Sequence, residues 1–203
     1  MKPLIVPLLL ICFCVTLNAQ TKAPAQSDPS PSLKETIEWI QEKVKTSGGY
    51  KIHVDELMEP KSGSQIRITS DFTGHYTSVS SNNSGCQIWA AFTSVVTASN
   101  LPNSVDSDST LVFDLSRIRP GSTKVGWWKF GPQNTTYSTY TTSPEGYYII
   151  TADPLEKDVP VTTSTSRDSA LFRFAELNTA NRVATALNHA VELCKANAKP
   201  EPF

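Results

Sequence analysis

Histidine and cysteine, the side chains most often recruited for acid–base, nucleophilic and metal chemistry, are scarce in this 203-residue chain. The three histidines, His53, His75 and His189, stand in separate segments without ligand-type spacing, and no Cys-x-x-Cys or helical His pair is present to hold zinc. The sequence also lacks a Gly-x-Ser-x-Gly elbow and a phosphate-cradling glycine loop, since Ser62-Gly63-Ser64 makes only a turn. Neither a metal nor a cofactor is therefore expected. One-sided charge is missing as well: 18 basic and 19 acidic residues leave a formal net charge of −1. No long-range field recruits nucleic acid, an anionic membrane or a phosphoinositide headgroup.

A long apolar run is the next absence. The longest stretch, residues 4–17, falls short of the roughly twenty residues a spanning helix needs, so no integral membrane segment is expected in the mature form. With Lys2 before it and Ala19 after it, the run reads as a secretory signal, residues 1–19, cleaved after Ala19. Cys12 and Cys14 leave with it. Residues 20–31 carry Pro24, Pro29 and Pro31 and little that can pack, which is the composition of a disordered linker. One α+β domain is expected over 32–198, with a tail at 199–203. The expected location is the periplasm or the exterior. The two remaining cysteines, Cys86 and Cys194, are an even pair in an oxidising compartment and predict a disulfide worth about 2–4 kcal/mol.

Inside the domain, two helices bracket a strand-rich centre. Ser32 and Glu35 form a capping box, and Leu33, Ile37, Ile40 and Val44 recur at helical spacing before Gly48-Gly49 stops the run, so a helix is predicted over 33–45. A second amphipathic helix is predicted over 178–196, capped by Asn178, with Ala180, Val183, Ala184, Leu187, Ala190, Val191 and Cys194 on its apolar face. Between them, short stretches rich in Val, Ile, Thr and aromatics, punctuated by turn residues, predict strands at 51–55, 65–69, 76–80, 86–97, 110–115, 123–130, 135–142, 147–150 and 170–174. Residues 153–168 read as a long polar loop.

This order, together with Leu33-Lys34-Glu35-Thr36-Ile37-Glu38-Trp39-Ile40, Gly85-Cys86, Phe113-Asp114-Leu115-Ser116 with Ile118 and Pro120, and a close running from Arg182-Val183-Ala184 to Glu201-Pro202-Phe203, resembles a group of bacterial exported proteins of unestablished activity. The resemblance implies a pleckstrin-homology-like antiparallel barrel or sandwich with a long C-terminal helix. It implies a fold, and a fold does not carry a function.

The remaining functional signal is aromatic. Trp127 and Trp128 are adjacent in one strand and so project to opposite faces, and Tyr137, Tyr140, Tyr147 and Tyr148 follow. Exposed planar rings bind at small entropic cost, so Trp127, Trp128, Tyr137 and Tyr140 form the expected binding surface, the alternative being that they cap the core. The leading expectation is a non-enzymatic exported recognition or scaffold domain of the bacterial envelope, acting on a protein or peptide. Two alternatives stand beside it: a carbohydrate-binding module built on the same rings, and a hydrolase with a dispersed site. His53 and Asp55, two apart on one strand face, have the spacing of an orienting pair, but chance explains it about as well, and no catalytic residue is assigned.

Overall fold

The protein is described as a computed structural model over residues 30–58, 63, 65–129, 146–157, 162–164 and 170–197. Helix α1 spans Leu33–Ser47 and begins with the capping box: Ser32 Oγ accepts from the Glu35 amide at 3.3 Å, while Glu35 Oε2 accepts from the Ser32 amide at 2.8 Å and from its hydroxyl at 2.7 Å. These bonds favour the ionised carboxylate and hold the Glu35 pKa below its ordinary value. The buried face is Thr36, Ile37, Ile40 and Val44.

The strands are β1 (Gly49–Met58), β2 (Ile66–Ser81), β3 (Gln87–Ala98), β4 (Val105–Asp114), β5 (Lys124–Lys129), β6 (Gly146–Thr151), β7 (Thr162–Ser164) and β8 (Phe172–Phe174), and α2 spans Leu177–Asn197. All described pairings are antiparallel. They form a five-stranded sheet, β1-β2-β3-β4-β7, and a three-stranded sheet, β5-β6-β8. The architecture is thus α+β, as expected, but among the described residues no ladder closes it into a barrel. The two sheets touch through an isolated bridge between Gly48 and Phe174.

The core lies where the helices cover the inner faces of both sheets. Ile88, Ala90, Leu111 and Phe113 come from the first sheet, Ile150, Phe172 and Phe174 from the second, and Val183, Leu187 and Val191 from α2, all with almost no exposure. The ring of Phe172 meets Phe113 and Tyr76 edge-on, with centroids 5.1 and 5.7 Å apart. Cys86 and Cys194 are joined by a disulfide with Cα atoms 5.7 Å apart, which ties the end of α2 to the entrance of β3.

Several expectations need correction. The strands expected at 65–69 and 76–80 are two ends of one 16-residue strand. Gly74, between them, is not a turn: a Cβ there would lie 2.4 Å from the Phe92 ring and 2.8 Å from the Tyr50 ring, so the glycine makes room for two aromatics crossing the sheet. Strand β4 starts earlier than its apolar pattern indicated, at Val105 rather than 110, and Leu115 belongs to a short 3-10 turn, Leu115–Arg117, capped by Asp114. The polar segment 153–168 contains β7, paired with the end of β4. Asn178 lies inside the first turn of α2 rather than at its cap. The signal segment, the tail, Tyr137, Tyr140 and the strand expected at 135–142 lie outside the described residues.

Candidate functional site

Strand β5, Lys-Val-Gly-Trp-Trp-Lys, pairs with β6 and, among the described residues, with no other strand, so within them it is an edge strand. Its two tryptophans sit opposite two tyrosines of β6, Trp127 opposite Tyr148 and Trp128 opposite Tyr147. Directly paired residues share a face of the sheet, so each face carries one indole and one phenol.

The phenols and the indoles have different environments. Tyr147 is buried and stacks on Tyr50, with centroids 4.4 Å apart and planes 12° from parallel, in a small cluster with Ile52 and Val54. Tyr148 packs on the main core. The tryptophans remain 48% and 44% exposed. Each face of this edge strand thus presents one half-exposed indole to solvent.

Trp127 is held in place. Its ring contacts Tyr148 edge-on at 4.7 Å, and it lies across the backbone at Gly146, where a Cβ would come within 2.4 Å of Cζ2. Glycine at that position lets the indole lie flat on β6. Lysines close both ends of the strand. The Lys124 ammonium is 3.3 Å from Asp153 Oδ2, and Lys129 has no ion-pair partner among the described residues. The strand is anchored to α2 just before it begins, where the Thr123 amide donates to Asn188 Oδ1 at 3.2 Å.

The histidine chemistry is arranged otherwise than the sequence spacing indicated. His53 Nδ1 is bonded to Asp71 Oδ1 at 2.8 Å, whereas Asp55 takes a bidentate ion pair from Arg67. His53 and Asp55 therefore do not orient one another. The Arg67 guanidinium hydrogen-bonded to Asp55 lowers the carboxyl pKa. Both pairs lie on an exposed sheet surface. His189 donates from Nε2 to the Pro31 carbonyl at 3.0 Å, a structural tether, and His75 is exposed on β2. No cluster of three His, Cys, Asp or Glu side chains able to hold a metal occurs among the described residues.

One buried polar arrangement escaped the sequence reading. Tyr76 Oη accepts from the Arg173 amide at 3.0 Å, and the Arg173 guanidinium lies 5.0 Å above the centre of the Phe92 ring. Burial pushes the Tyr76 pKa up to about 12. Tyrosine at alternating spacing in a strand signals only a buried ring, and neither the burial of Arg173 nor its partner is legible from local sequence.

A shallow concavity of about 410 Å³ lies between α1 and the β2–β3 turn, floored by Leu33 and Ile37 and rimmed by Gln41, Asn83, Ser84 and Gly85. None of its lining residues is aromatic, so β5 is the stronger candidate. No described helix is long and apolar enough to cross a membrane. The chain matches no protein-family model, no curated protein and no solved structure.

Proposed function

We propose that this protein is an exported recognition domain that captures an extended polypeptide segment along β5. The observation that carries the reading is the placement of Trp127 and Trp128, each about half exposed, on opposite faces of a strand that among the described residues is paired along one edge only. A strand added to that edge gains main-chain hydrogen bonds, while its alternating side chains lie against one indole above the sheet and the other below. Tryptophan is the residue most enriched among those that dominate binding energy, and a strand holds it with few rotamers to lose. The Cys86–Cys194 bridge and the apolar run at residues 4–17 support export to an oxidising compartment. The order of helix, antiparallel strands and closing helix supports kinship with pleckstrin-homology-like domains.

The test is selection from a displayed library of random twelve-residue peptides against the mature domain. Enriched peptides should lose binding to Trp127→Ala and to Trp128→Ala, while both variants retain cooperative melting. Absence of enrichment, or binding indifferent to both substitutions, overturns the proposal.

A carbohydrate reading has one observation in its favour: Trp127 is propped by Gly146 and Tyr148 into a fixed platform. A sugar ring would stack on Trp127 alone and leave Trp128 unused. Loss of binding in both variants therefore separates a strand from a sugar.

A further inference from the structure

We infer that the strand captured by β5 is acidic at both flanks and seats an apolar side chain over Gly126. This rests on reading β5 as a peptide-binding edge and specifies the partner.

Gly126 is the first ground. A glycine inside a strand sacrifices stability, and it is normally retained because the backbone needs a positive φ or because a neighbour occupies the Cβ position. Neither holds here. Its φ is not positive, and a Cβ would meet among the described residues only Ile149 Cγ1, at an ordinary 3.7 Å. Gly74 and Gly146, by contrast, lie directly under aromatic rings. The missing side chain at Gly126 leaves a notch with Ile149 as its floor, since the two are cross-strand partners, and Trp128, two residues on and on the same face, as its wall. Such a notch on a strand that the described residues leave unpaired at its outer edge is where another chain's side chain fits.

Charge is the second ground. Lys124 and Lys129, both exposed, bracket the strand. If two copies of β5 paired antiparallel about their centre, Lys124 would face Lys129 at both ends, and like charges directly opposite are destabilising. Lys129, without an ion-pair partner among the described residues, favours a carboxylate opposite it, and the exposed Lys124 ammonium would share its charge between Asp153 and a second carboxylate of the captured strand. An antiparallel partner opposite all six residues would carry its acids five residues apart, with its apolar residue two before the second acid.

The probes are two fluorescein-labelled peptides, Ser-Glu-Thr-Val-Leu-Thr-Glu-Ser and the same sequence with lysine at both glutamates, titrated by anisotropy at low salt. The acidic peptide should bind at least about tenfold more tightly than the basic one. Gly126→Val should weaken the acidic peptide by about tenfold with melting unchanged or raised, because valine favours a strand. Lys129→Glu, at an exposed position, should narrow or reverse the preference between the peptides. Equal binding of both peptides, no effect of either variant, or no binding of either peptide would overturn the inference. Dimerisation of the free protein through β5 in sedimentation would overturn the choice of occupant. The library selection decides the broader reading independently, because peptides enriched there without acidic flanks would leave the edge-binding role standing.

Discussion

The same residue class is used in two opposite ways in this molecule. Phe113, Phe172 and Tyr76 meet edge-on at the centre of the fold with 3% exposure or less, whereas Trp127 and Trp128 sit about half exposed on β5. The first group lies where three layers converge: α2, the first sheet and the second. The second group lies on a strand that, among the described residues, is bonded on one side only. Ring chemistry is therefore not what separates core from surface here; the number of elements packed against each ring is. If that is correct, truncation in the two groups should divide cleanly. Phe172→Ala removes a ring with no exposure and should cost about 3–5 kcal/mol in denaturant unfolding. A loss near 1 kcal/mol would mean that the two sheets are not tightly joined at this point.

Next in size is the bridge that fixes the roof of the first group. Cys194 lies near the end of α2, and the link to Cys86 closes a loop of 108 residues. A Cys86→Ala/Cys194→Ala variant should lose about 2–4 kcal/mol, by constraining the unfolded chain less. Chemical denaturation of the oxidised protein and the double variant gives the comparison. Binding by β5 should survive the change wherever the variant remains folded, because β5 is held to α2 at Asn188, well before Cys194.

A smaller effect distinguishes the buried phenol by pH. The Tyr76 pKa is raised from its ordinary value of 10 to about 12, mainly through burial. The folded protein thus keeps a proton that the unfolded chain releases above pH 10. The contribution is fully present below pH 10 and is lost as pH rises from 10 to 12, amounting to about 2–3 kcal/mol. Stability measured across that window in the parent and in Tyr76→Phe should show the parent losing this much more than the variant. Parallel curves would mean that the Tyr76 hydroxyl reaches water.

Which parts were legible in the sequence follows from the same distinction between local and non-local causes. Both helices could be read because a capping box and an apolar period are local signals; only the cap at Asn178 was misplaced. Strand β4 shows in the sequence from 110 onward, where Leu111, Val112 and Phe113 form an apolar, β-favouring run. Its first half, Val105–Ser109, carries Asp106 and Asp108 and becomes a strand because β3 supplies a ladder beside it. The continuity of β2 between the strands predicted at 65–69 and 76–80 has a non-local cause, since Gly74 gives room to rings from β1 and β3. The partner of His53 was out of reach for the same reason: Asp71 lies 18 residues away and is brought opposite by register. At the candidate site, alternation placed Trp127 and Trp128 on opposite faces. Their exposure depended on which strands flank β5, and that is set by topology.

The smallest stability effect belongs to the surface pair and carries the most information about function. Trp128 is 44% exposed, so Trp128→Ala forfeits only part of an indole's burial and should cost about 1 kcal/mol, well short of Phe172→Ala. Trp127→Ala should cost somewhat more, because its ring also covers Gly146 and meets Tyr148. If β5 serves binding, affinity for selected peptides should fall by a factor of ten or more in each variant, since binding hot spots typically contribute about 2 kcal/mol or more. The contrast with the core then appears as a crossing of two scales: Phe172 dominates unfolding and Trp128 dominates binding. A Trp128→Ala protein that unfolds as easily as Phe172→Ala would place both rings in one core and remove the basis for reading β5 as a recognition edge.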